Sequence, residues 1–526
     1  MSSNTGYGPI NLPGDEVHLT PRRTVHPALL RQAPISANMI AFCMTAYARD
    51  PFTRMFFYVS SSSGETLSVY NPADGSLVTD QVQVASNKDV DKAVDAATAA
   101  FKSWRQTPSS ERAAIMLKYA DLVEENAAKL AELETVAMGM PRMLASQVIT
   151  MHYTTFRYYA GLADKIHGET YTEDGDGLLK LITYEPIGVC AGISAWNGTH
   201  LSIGWKIAPA VAAGNTFIHK TSEKSPLSAL LLGRLIIEAG FPPGVINLLS
   251  GGGKTGSLLS YHMGIGKICF TGSVGAGRKV QVAAAQSNLK HVTLELGGKS
   301  ASIVFEDANL ENAIQHNSQS FLANNAQACS AASRLFVHES IASSFIESLK
   351  QSFLRLSETI GDPTSKKTFL GPLVDKGQLD RVTEYIEGAK TEGVEILAGG
   401  DNRPGPGQFI SPTLILNPSI DSRIYKEEIF GPVLVVRTFK NEDEVIKLAN
   451  DTPYGLSGII FTSDITRALR VASKLDVGTL SINSAHWTSK QTPWGGWKQS
   501  GFGREGGLEG LKEYVQSKSI HVNLNL

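Results

Sequence analysis

One of the four cysteines of this chain stands in a different setting from the other three. Cys329 lies within residues 323–330, which are all small or polar, whereas Cys43, Cys190 and Cys269 have apolar neighbours. A thiol that solvent can reach, surrounded by backbone amides, can be tuned towards the nucleophilic thiolate, whereas a cysteine in an apolar run is usually inert packing. The pattern therefore singles out Cys329 as the candidate nucleophile among the four cysteines, with a loop cysteine that has no catalytic role as the alternative interpretation.

A carboxylate in an apolar setting is the second candidate for chemistry. Glu295 lies between Leu294 and Leu296 and precedes Cys329 by 34 residues. Burial without a partner is costly for a carboxylate and raises its pKa, which suits a general base. The alternative is a structural glutamate held in a salt bridge by Lys299. The segment alone leaves both interpretations open.

A glycine-rich segment, residues 270–277, connects a predicted strand to a predicted helix. It contains Gly272, Ser273 and Gly277. Glycines at such a turn let backbone N–H groups and the helix N-terminus approach a pyrophosphate closely. The spacing differs from the usual dinucleotide fingerprint, so a tight structural turn is the alternative interpretation.

Together these segments resemble the NAD(P)-dependent aldehyde dehydrogenase superfamily. The resemblance rests on two signatures, ELGGK at 295–299 and QACSA at 327–331, and extends from about residue 64 to the C-terminus. Further segments resemble the family in the same order: AWN at 195–197, HKTSE at 219–223, FTGS at 270–273, EEIFGP at 427–432 and PWGG at 493–496. Coincidence does not explain so many ordered matches.

The resemblance implies oxidation of an aldehyde to a carboxylic acid with NAD⁺. Cys329 would form a thiohemiacetal and then a thioester, and Glu295 would activate the water that hydrolyses the thioester. The Asn197 side chain and the N–H of Cys329 would stabilise the oxyanion. One alternative is a CoA-acylating aldehyde dehydrogenase, which would not need Glu295. Another is a catalytically impaired binding protein with the same fold.

The resemblance also implies how NAD is held. Lys220 and Glu223 match positions that contact the adenosine ribose, and Glu428 matches one that holds the nicotinamide ribose. Because a carboxylate accepts hydrogen bonds from a free 2′-hydroxyl but repels a 2′-phosphate, Glu223 predicts NAD⁺ rather than NADP⁺. The predicted cofactor-binding residues are Ile193, Ser194, Trp196, Lys220, Glu223, Gly251, Gly272, Ser273, Gly277, Leu296, Glu428 and Phe430.

Two departures from the family pattern concern the nucleophile loop and the substrate tunnel. Ala326 stands where the family usually has glycine, and it would be strained if its φ were positive. Gly198 replaces a usual aromatic residue and widens the tunnel, which favours a bulky aldehyde. The PWGG segment resembles the betaine- and aminoaldehyde-oxidising branches of the family, in which the faces of indole rings attract cations. A bulky aldehyde and a cationic aldehyde therefore both stay open as substrates. The predicted substrate pocket comprises Gly198, Ser202, Trp205, Thr488 and Trp494.

The elements that must position these residues alternate between short apolar strands and helices. Such alternation predicts parallel strands with helical crossovers, and hence an α/β fold with two doubly wound Rossmann-like domains and a small β oligomerisation arm. A helix is predicted to begin at Ser86. Further predicted helices are 110–138, 226–239 and one from about 309, and predicted strands are 187–194, 215–220, 245–249, 267–271, 302–305 and 334–337.

The predicted domain boundaries follow from this pattern and from the resemblance. Residues 1–63 are predicted to be a divergent, irregular extension, in which proline density and acidic residues argue against an import presequence. The NAD-binding domain comprises 64–165 and 185–297, and the catalytic domain 298–507. A hairpin within 166–184 and a tail within 508–526, which suggests a partner strand, form the oligomerisation arm. Because an isolated two-stranded ribbon is marginal, a homodimer or homotetramer is predicted.

Composition narrows the class of protein. The 526 residues include 48 Lys and Arg against 50 Asp and Glu, so a net charge of −2 gives no electrostatic reason to bind nucleic acid or an anionic membrane. No apolar run approaches the roughly 18 residues that predict a membrane span. The cysteines have no zinc-binding spacing, so no metal site is predicted. A cytoplasmic enzyme with a small-molecule aldehyde as its substrate is expected.

Overall fold

The structure is a computed structural model that describes residues 42–43, 58–485 and 489–525. Most of the predicted extension, residues 1–63, and Thr488 of the predicted pocket lie outside the described residues. Within the extension, Phe42–Cys43 pairs antiparallel with Tyr58–Val59. In the part of the chain that the structure describes, no helix is long and apolar enough to cross a membrane.

The helices and strands are numbered in chain order. The strands are β1 (Phe42–Cys43), β2 (Tyr58–Val59), β3 (Thr66–Tyr70), β4 (Leu77–Gln83), β5 (Glu169–Tyr171), β6 (Leu178–Pro186), β7 (Val189–Ile193), β8 (Thr216–Lys220), β9 (Ile246–Leu249), β10 (Lys267–Thr271), β11 (His291–Glu295), β12 (Ala301–Val304), β13 (Arg334–His338), β14 (Glu395–Ala398), β15 (Thr413–Leu416), β16 (Val433–Phe439), β17 (Tyr454–Gly455), β18 (Ser457–Phe461), β19 (Thr479–Ile482), β20 (Trp497–Lys498), β21 (Gly501–Phe502) and β22 (Val515–Asn523). The helices are α1 (Asn87–Trp104), α2 (Ser109–Glu125), α3 (Ala127–Met138), α4 (Arg142–Ala160), α5 (Thr199–Ala212), α6 (Leu227–Ala239), α7 (Gly253–Tyr261), α8 (Val274–Gln286), α9 (Leu310–Gln315), α10 (Glu339–Ser357), α11 (Lys376–Thr391), α12 (Arg423–Lys426), α13 (Glu442–Asn450), α14 (Ile465–Ala472) and α15 (Gly507–Lys512).

The first sheet has the strand order β21-β11-β10-β7-β8-β9. All neighbouring strands are parallel except β21, which is antiparallel to β11. The chain places β8 and β9 on one side of β7, and β10 and β11 on the other, so the winding reverses between β7 and β10. Open parallel sheets bind ligands beyond the carboxyl ends of the strands at such a reversal.

The second sheet has the order β14-β15-β16-β13-β12-β18-β19 and is parallel apart from β14. Residues 296–300 join the carboxyl end of β11 directly to the amino end of β12. The segment that follows β11 of the first sheet therefore leads directly into the second sheet. The predicted α/β class with two doubly wound units is confirmed.

The boundaries of two predicted helices depend on hydrogen bonds made by nearby side chains. At the start of α1, Ser86 N donates to Asp89 Oδ2 at 3.0 Å, so the predicted cap is present. The single helix predicted over 110–138 is wrong, because α2 and α3 are separate. Asn126 lies between them with φ −98° and ψ 7°, and its Nδ2 donates to Leu122 O at 2.8 Å. An asparagine side chain that satisfies the last turn's carbonyl competes with helix continuation.

The predicted arm consists of three antiparallel strands in the order β22-β6-β5. β22 pairs with β6 over its whole length, from Val515 opposite Pro186 to Asn523 opposite Leu178. The tail is thus the partner strand of β6 within the same chain.

Candidate active site

Cys329 and Glu295 come together beside a small aromatic cluster. Glu295 is the last residue of β11, and Cys329 lies in the loop before β13. Trp205, Leu456 and Trp494 form a buried cluster, against which Cys329 packs. The indole Nε1 of Trp494 donates to Glu295 Oε2 at 2.9 Å. The structure therefore unites the two predicted catalytic residues with two predicted pocket residues.

The alternative interpretation of Glu295, a salt bridge to Lys299, is wrong. Lys299 Nζ donates to the backbone carbonyl of Ile424 at 2.8 Å. The cation near Glu295 is instead Lys206, which forms a buried ion pair with Glu505 and donates to Thr271 Oγ1 at 2.6 Å. Sequence reasoning missed Lys206 and Glu505, because no local motif connects positions so far apart in the chain.

The carboxyl group of Glu295 is buried and electrostatically perturbed. Glu295 is only 3% exposed, and its Oε1 has no hydrogen-bond partner in the part of the chain that the structure describes. Burial first, and then the negative charge of Glu505, raise the pKa of Glu295 to about 8, although Lys206 and the Trp494 indole oppose the shift. A carboxyl group with a pKa near neutrality can both accept and release a proton in the physiological range.

The thiol of Cys329 differs from the sequence prediction. Burial, followed by the charges of Glu295 and Glu428, raises the pKa of Cys329 to about 12, while the backbone amides of Ser330 and Cys329 oppose the shift. The predicted tuning towards thiolate is therefore wrong for the structure as described, because the loop is partly buried and faces carboxylates. The proton of Cys329 needs a base to leave.

The loop before Cys329 has an unusual backbone. Asn324, Asn325 and Ala326 have φ values of 53°, 54° and 52°. The positive φ considered for Ala326 is thus observed. The loop is held by Gln327, whose backbone carbonyl accepts from Asn197 Nδ2 at 2.9 Å and whose Oε1 accepts from Val374 N at 3.0 Å. Gln327 is completely buried. It belongs to the QACSA signature, but sequence reasoning assigned it no role in the site.

The predicted cofactor residues cluster at the carboxyl ends of the first sheet's strands. Ile193 ends β7, Ser194 and Trp196 follow it, Lys220 ends β8, Gly251 follows β9, and Gly272 and Ser273 follow β10. Leu296 follows β11 and packs against Gly277, where an added Cβ would lie 2.6 Å from its side chain. This arrangement spans the reversal between β7 and β10.

Glu428 and Phe430 reach this region from the second half of the chain. Gly298 N donates to Glu428 Oε1 at 3.2 Å, and burial raises the pKa of Glu428 to about 7. The rings of Phe430 and Trp196 lie 5.4 Å apart in an edge-to-face arrangement.

The residues present fit a dinucleotide. Ser273 caps α8 by accepting from Ala276 N at 3.4 Å, and a Cβ added at Gly275 would meet nothing within 4 Å. The positive end of this helix is therefore open to a pyrophosphate. Lys220 Nζ lies 3.4 Å from Glu223 Oε2, so a donor and an acceptor stand side by side, as a ribose requires.

The predicted tunnel wall is open at Gly198, which immediately precedes α5. Among the described residues, a Cβ added there would meet only Leu201 Cβ, at 3.9 Å. Ser202 lies one turn further along α5, where its backbone N donates to Gly198 O at 2.9 Å. The wall thus carries two small residues beside the apolar Leu201.

Known proteins match this chain along most of its length. The profile of the aldehyde dehydrogenase family matches residues 58–520. Human retinal dehydrogenase 2 is 46% identical over 481 residues, which cover 90% of this chain and 92% of the relative. An aldehyde dehydrogenase of Emericella nidulans is 45% identical over 469 residues, which cover 89% of this chain and 94% of that protein.

Solved structures agree with the sequence matches. Betaine aldehyde dehydrogenase from Staphylococcus aureus in complex with NAD⁺ superposes with a TM-score of 0.88 at 36% identity, covering 93% of this chain and 95% of that one. A variant of aldehyde dehydrogenase from Bacillus cereus gives the same TM-score at 39% identity, covering 92% of this chain and 97% of that one. This chain belongs to the aldehyde dehydrogenase family. The predicted class, an NAD-dependent aldehyde dehydrogenase, is confirmed, and the relatives favour neither the CoA-acylating nor the impaired alternative.

Proposed function

We propose that this chain oxidises an aldehyde through Cys329, Glu295 and Asn197. The observation that carries the proposal is the packing of Cys329 against the cluster whose Trp494 donates to Glu295. The nucleophile packs against this cluster, the base is hydrogen-bonded to it, and the Asn197 amide donates to the backbone of Gln327, two residues before Cys329. These are the parts that acyl transfer through a thioester needs.

In the first step, the sulfur of Cys329 bonds to the aldehyde carbon, and the thiol proton passes to a solvent water molecule. The carbonyl oxygen becomes an oxyanion. Because an amide nitrogen carries two hydrogens and Asn197 uses one on Gln327, the second is available for this oxyanion. The backbone N–H of Cys329 is the other donor.

The thiohemiacetal then becomes a thioester. When bound, NAD⁺ supplies the nicotinamide that accepts the hydride from the substrate carbon. We propose that Lys220 and Glu223 hold the adenosine ribose, the start of α8 holds the pyrophosphate, and Glu428 holds the nicotinamide ribose. Glu223 favours NAD⁺ over NADP⁺, because its carboxylate would repel a 2′-phosphate.

Hydrolysis completes the reaction. Glu295 in its ionised form takes a proton from a water molecule whose oxygen bonds to the thioester carbon, and it then passes this proton to the leaving sulfur of Cys329. The carbon–sulfur bond breaks, the carboxylic acid leaves, and the Cys329 thiol is restored. Oε1 of Glu295, which no described residue hydrogen-bonds, is the oxygen suited to receive this proton.

We propose a bulky apolar aldehyde as the substrate. Gly198 and Ser202 leave room in the wall, and Leu201, Leu456 and Trp205 are apolar. The name of the human relative, retinal dehydrogenase, agrees with a substrate of this size. The second candidate is a cationic aldehyde, because Trp205 and Trp494 present indoles 6.1 Å apart, and the S. aureus neighbour is named for betaine aldehyde.

The remaining features of the proposal concern assembly and location. The exposed side chains of Tyr171, Ile520 and Val522 on the three-stranded arm support a homodimer or homotetramer. We further propose a cytoplasmic location, in which thiols such as Cys329 stay reduced. Sedimentation showing only monomer at micromolar concentration would contradict the oligomer.

The function is tested with NADH absorbance and two aldehydes, retinaldehyde and betaine aldehyde. A kcat/KM at least tenfold higher for retinaldehyde is expected, and the reverse preference would favour the cationic substrate. Cys329→Ala should abolish turnover of either aldehyde. Glu295→Gln should form acyl-enzyme that mass spectrometry detects, because hydrolysis is blocked after acylation.

A further inference from the structure

The catalytic carboxyl group is held on one side by a tryptophan. Trp494 Nε1 donates to Glu295 Oε2 at 2.9 Å, and Trp494 is 5% exposed. The indole nitrogen carries one hydrogen and cannot accept a hydrogen bond, so Trp494 acts only as a donor to Glu295. The other oxygen, Oε1, has no partner among the described residues. The two oxygens of Glu295 are therefore not equivalent.

Trp494 is itself fixed from two directions. Its backbone N donates to Glu505 O at 2.6 Å, and Glu505 N donates back to Trp494 O at 2.8 Å. Its ring packs against Trp205 and Leu456 in the cluster that Cys329 contacts. A side chain fixed at both backbone and ring can orient its partner, because little rotational freedom is left to lose.

We propose that Trp494 is a positioning residue, whose indole N–H fixes Oε2 of Glu295 so that Oε1 is presented to the hydrolytic water. The proposal rests on the proposed role of Glu295 as general base. It gives Trp494 a function beyond lining the substrate pocket, and it assigns that function to hydrolysis of the thioester rather than to its formation.

The electrostatics of the site agree with this role. The Trp494 bond lowers the pKa of Glu295 against the larger effects of burial and Glu505. Without the Trp494 N–H, the charged form of the buried Glu295 carboxylate accepts fewer hydrogen bonds. Its pKa therefore rises. A residue that only filled space would not change this titration.

The test uses p-nitrophenyl acetate, which acylates the enzyme without an aldehyde or a hydride acceptor. The Cys329 sulfur bonds to the acetyl carbon and p-nitrophenolate leaves; water then releases acetate and restores the thiol. The nitrophenolate burst measures acylation and the steady rate measures hydrolysis. Trp494→Phe keeps an aromatic ring but removes the N–H. We expect a burst equal to that of the wild type, a steady rate about ten- to a hundredfold lower, and a pH midpoint of hydrolysis moved upwards.

Two matched variants separate positioning from packing. Trp104→Phe also removes the N–H of a buried indole, which donates to Val211 O at 3.2 Å, and should leave the burst and the pH midpoint of hydrolysis unchanged. In a Glu295→Gln background, Trp494→Phe should cause no further loss of the steady rate, because the group that it positions is gone.

The outcomes are distinct. An unchanged steady rate and pH midpoint in Trp494→Phe would overturn the positioning role. Loss of both the burst and the steady rate would also overturn it, because Trp494 would then act on the nucleophile or on packing. Ester turnover by Cys329→Ala at the wild-type rate would instead contradict the proposed role of Cys329. The two proposals therefore fail separately.

Discussion

The side-chain amide of Asn197 donates to the backbone carbonyl of Gln327 at 2.9 Å, two residues before Cys329. This bond joins the carboxyl end of β7 in the first sheet to the loop that leads into β13 of the second sheet. The predicted oxyanion donor and the predicted nucleophile thus come from different halves of the chain. The bond sets their relative position and leaves one amide hydrogen of Asn197 for substrate.

Asn197→Ala is expected to lower kcat/KM for aldehyde oxidation by about 10²–10³-fold, because it removes a preorganised oxyanion donor. Initial rates of NADH formation provide the measurement. Asn197→Asp is the control of equal size: it replaces the donor with an acceptor and should be at least as impaired. A change of less than threefold in both variants would show that Asn197 does not stabilise the oxyanion.

Ala326→Gly is expected to stabilise the protein by about 1 kcal/mol, because a residue with a Cβ is strained in the left-handed region. Ala326 has φ 52° and is buried in the loop before Cys329. The midpoint of urea unfolding should therefore rise. Ala323→Gly is the matched control: it lies in the same turn without a positive φ and should lower the midpoint. Equal effects of the two substitutions would rule out strain as the cause.

The rate of acyl-enzyme hydrolysis should rise with pH through about 8. Burial raises the pKa of Glu295 to that value, and only the ionised form can accept the proton of water. The steady rate of p-nitrophenyl acetate turnover from pH 6 to 10 should follow a single ionisation. A rate that is flat across this range would mean that another group acts as the base.

Glu505→Gln should move this pH midpoint to lower values. The negative charge of Glu505 raises the pKa of Glu295, whereas the positive charge of Lys206, which stays, lowers it. The same pH series measures the shift, with circular dichroism confirming that the variant is folded. An upward shift would show that the Lys206–Glu505 pair influences Glu295 in some other way.

Glu223→Gln should raise kcat/KM with NADP⁺ relative to NAD⁺ by about tenfold, because the repulsion of a 2′-phosphate is removed. Glu238→Gln provides the comparison. It removes a carboxylate of the same kind from the exposed last turn of α6, which is about 18 Å from that helix's first turn. If both variants keep the wild-type cofactor ratio, Glu223 does not discriminate between the cofactors.

Much of the fold follows from local patterns. The strands β7, β8, β9 and β10 lie within or match the predicted ranges, because buried parallel strands are short apolar runs that turn residues delimit. Ser86 and Asp89 cap α1 as predicted, since capping depends on residues three positions apart. The break at Asn126 was not predicted, because an asparagine within a strongly helical composition gives only a weak local signal.

For the site, the sequence by itself determined which residue types are present: a thiol in a polar loop, a carboxylate at a strand end and a glycine-rich turn before a helix. The tertiary structure alone decided that Trp494 holds Glu295, that Lys206 pairs with Glu505, and that Cys329 is a neutral thiol facing carboxylates. The reason is physical. Burial and the proximity of charges set a pKa or orient a carboxylate, and both arise only when folding brings distant parts of the chain into contact.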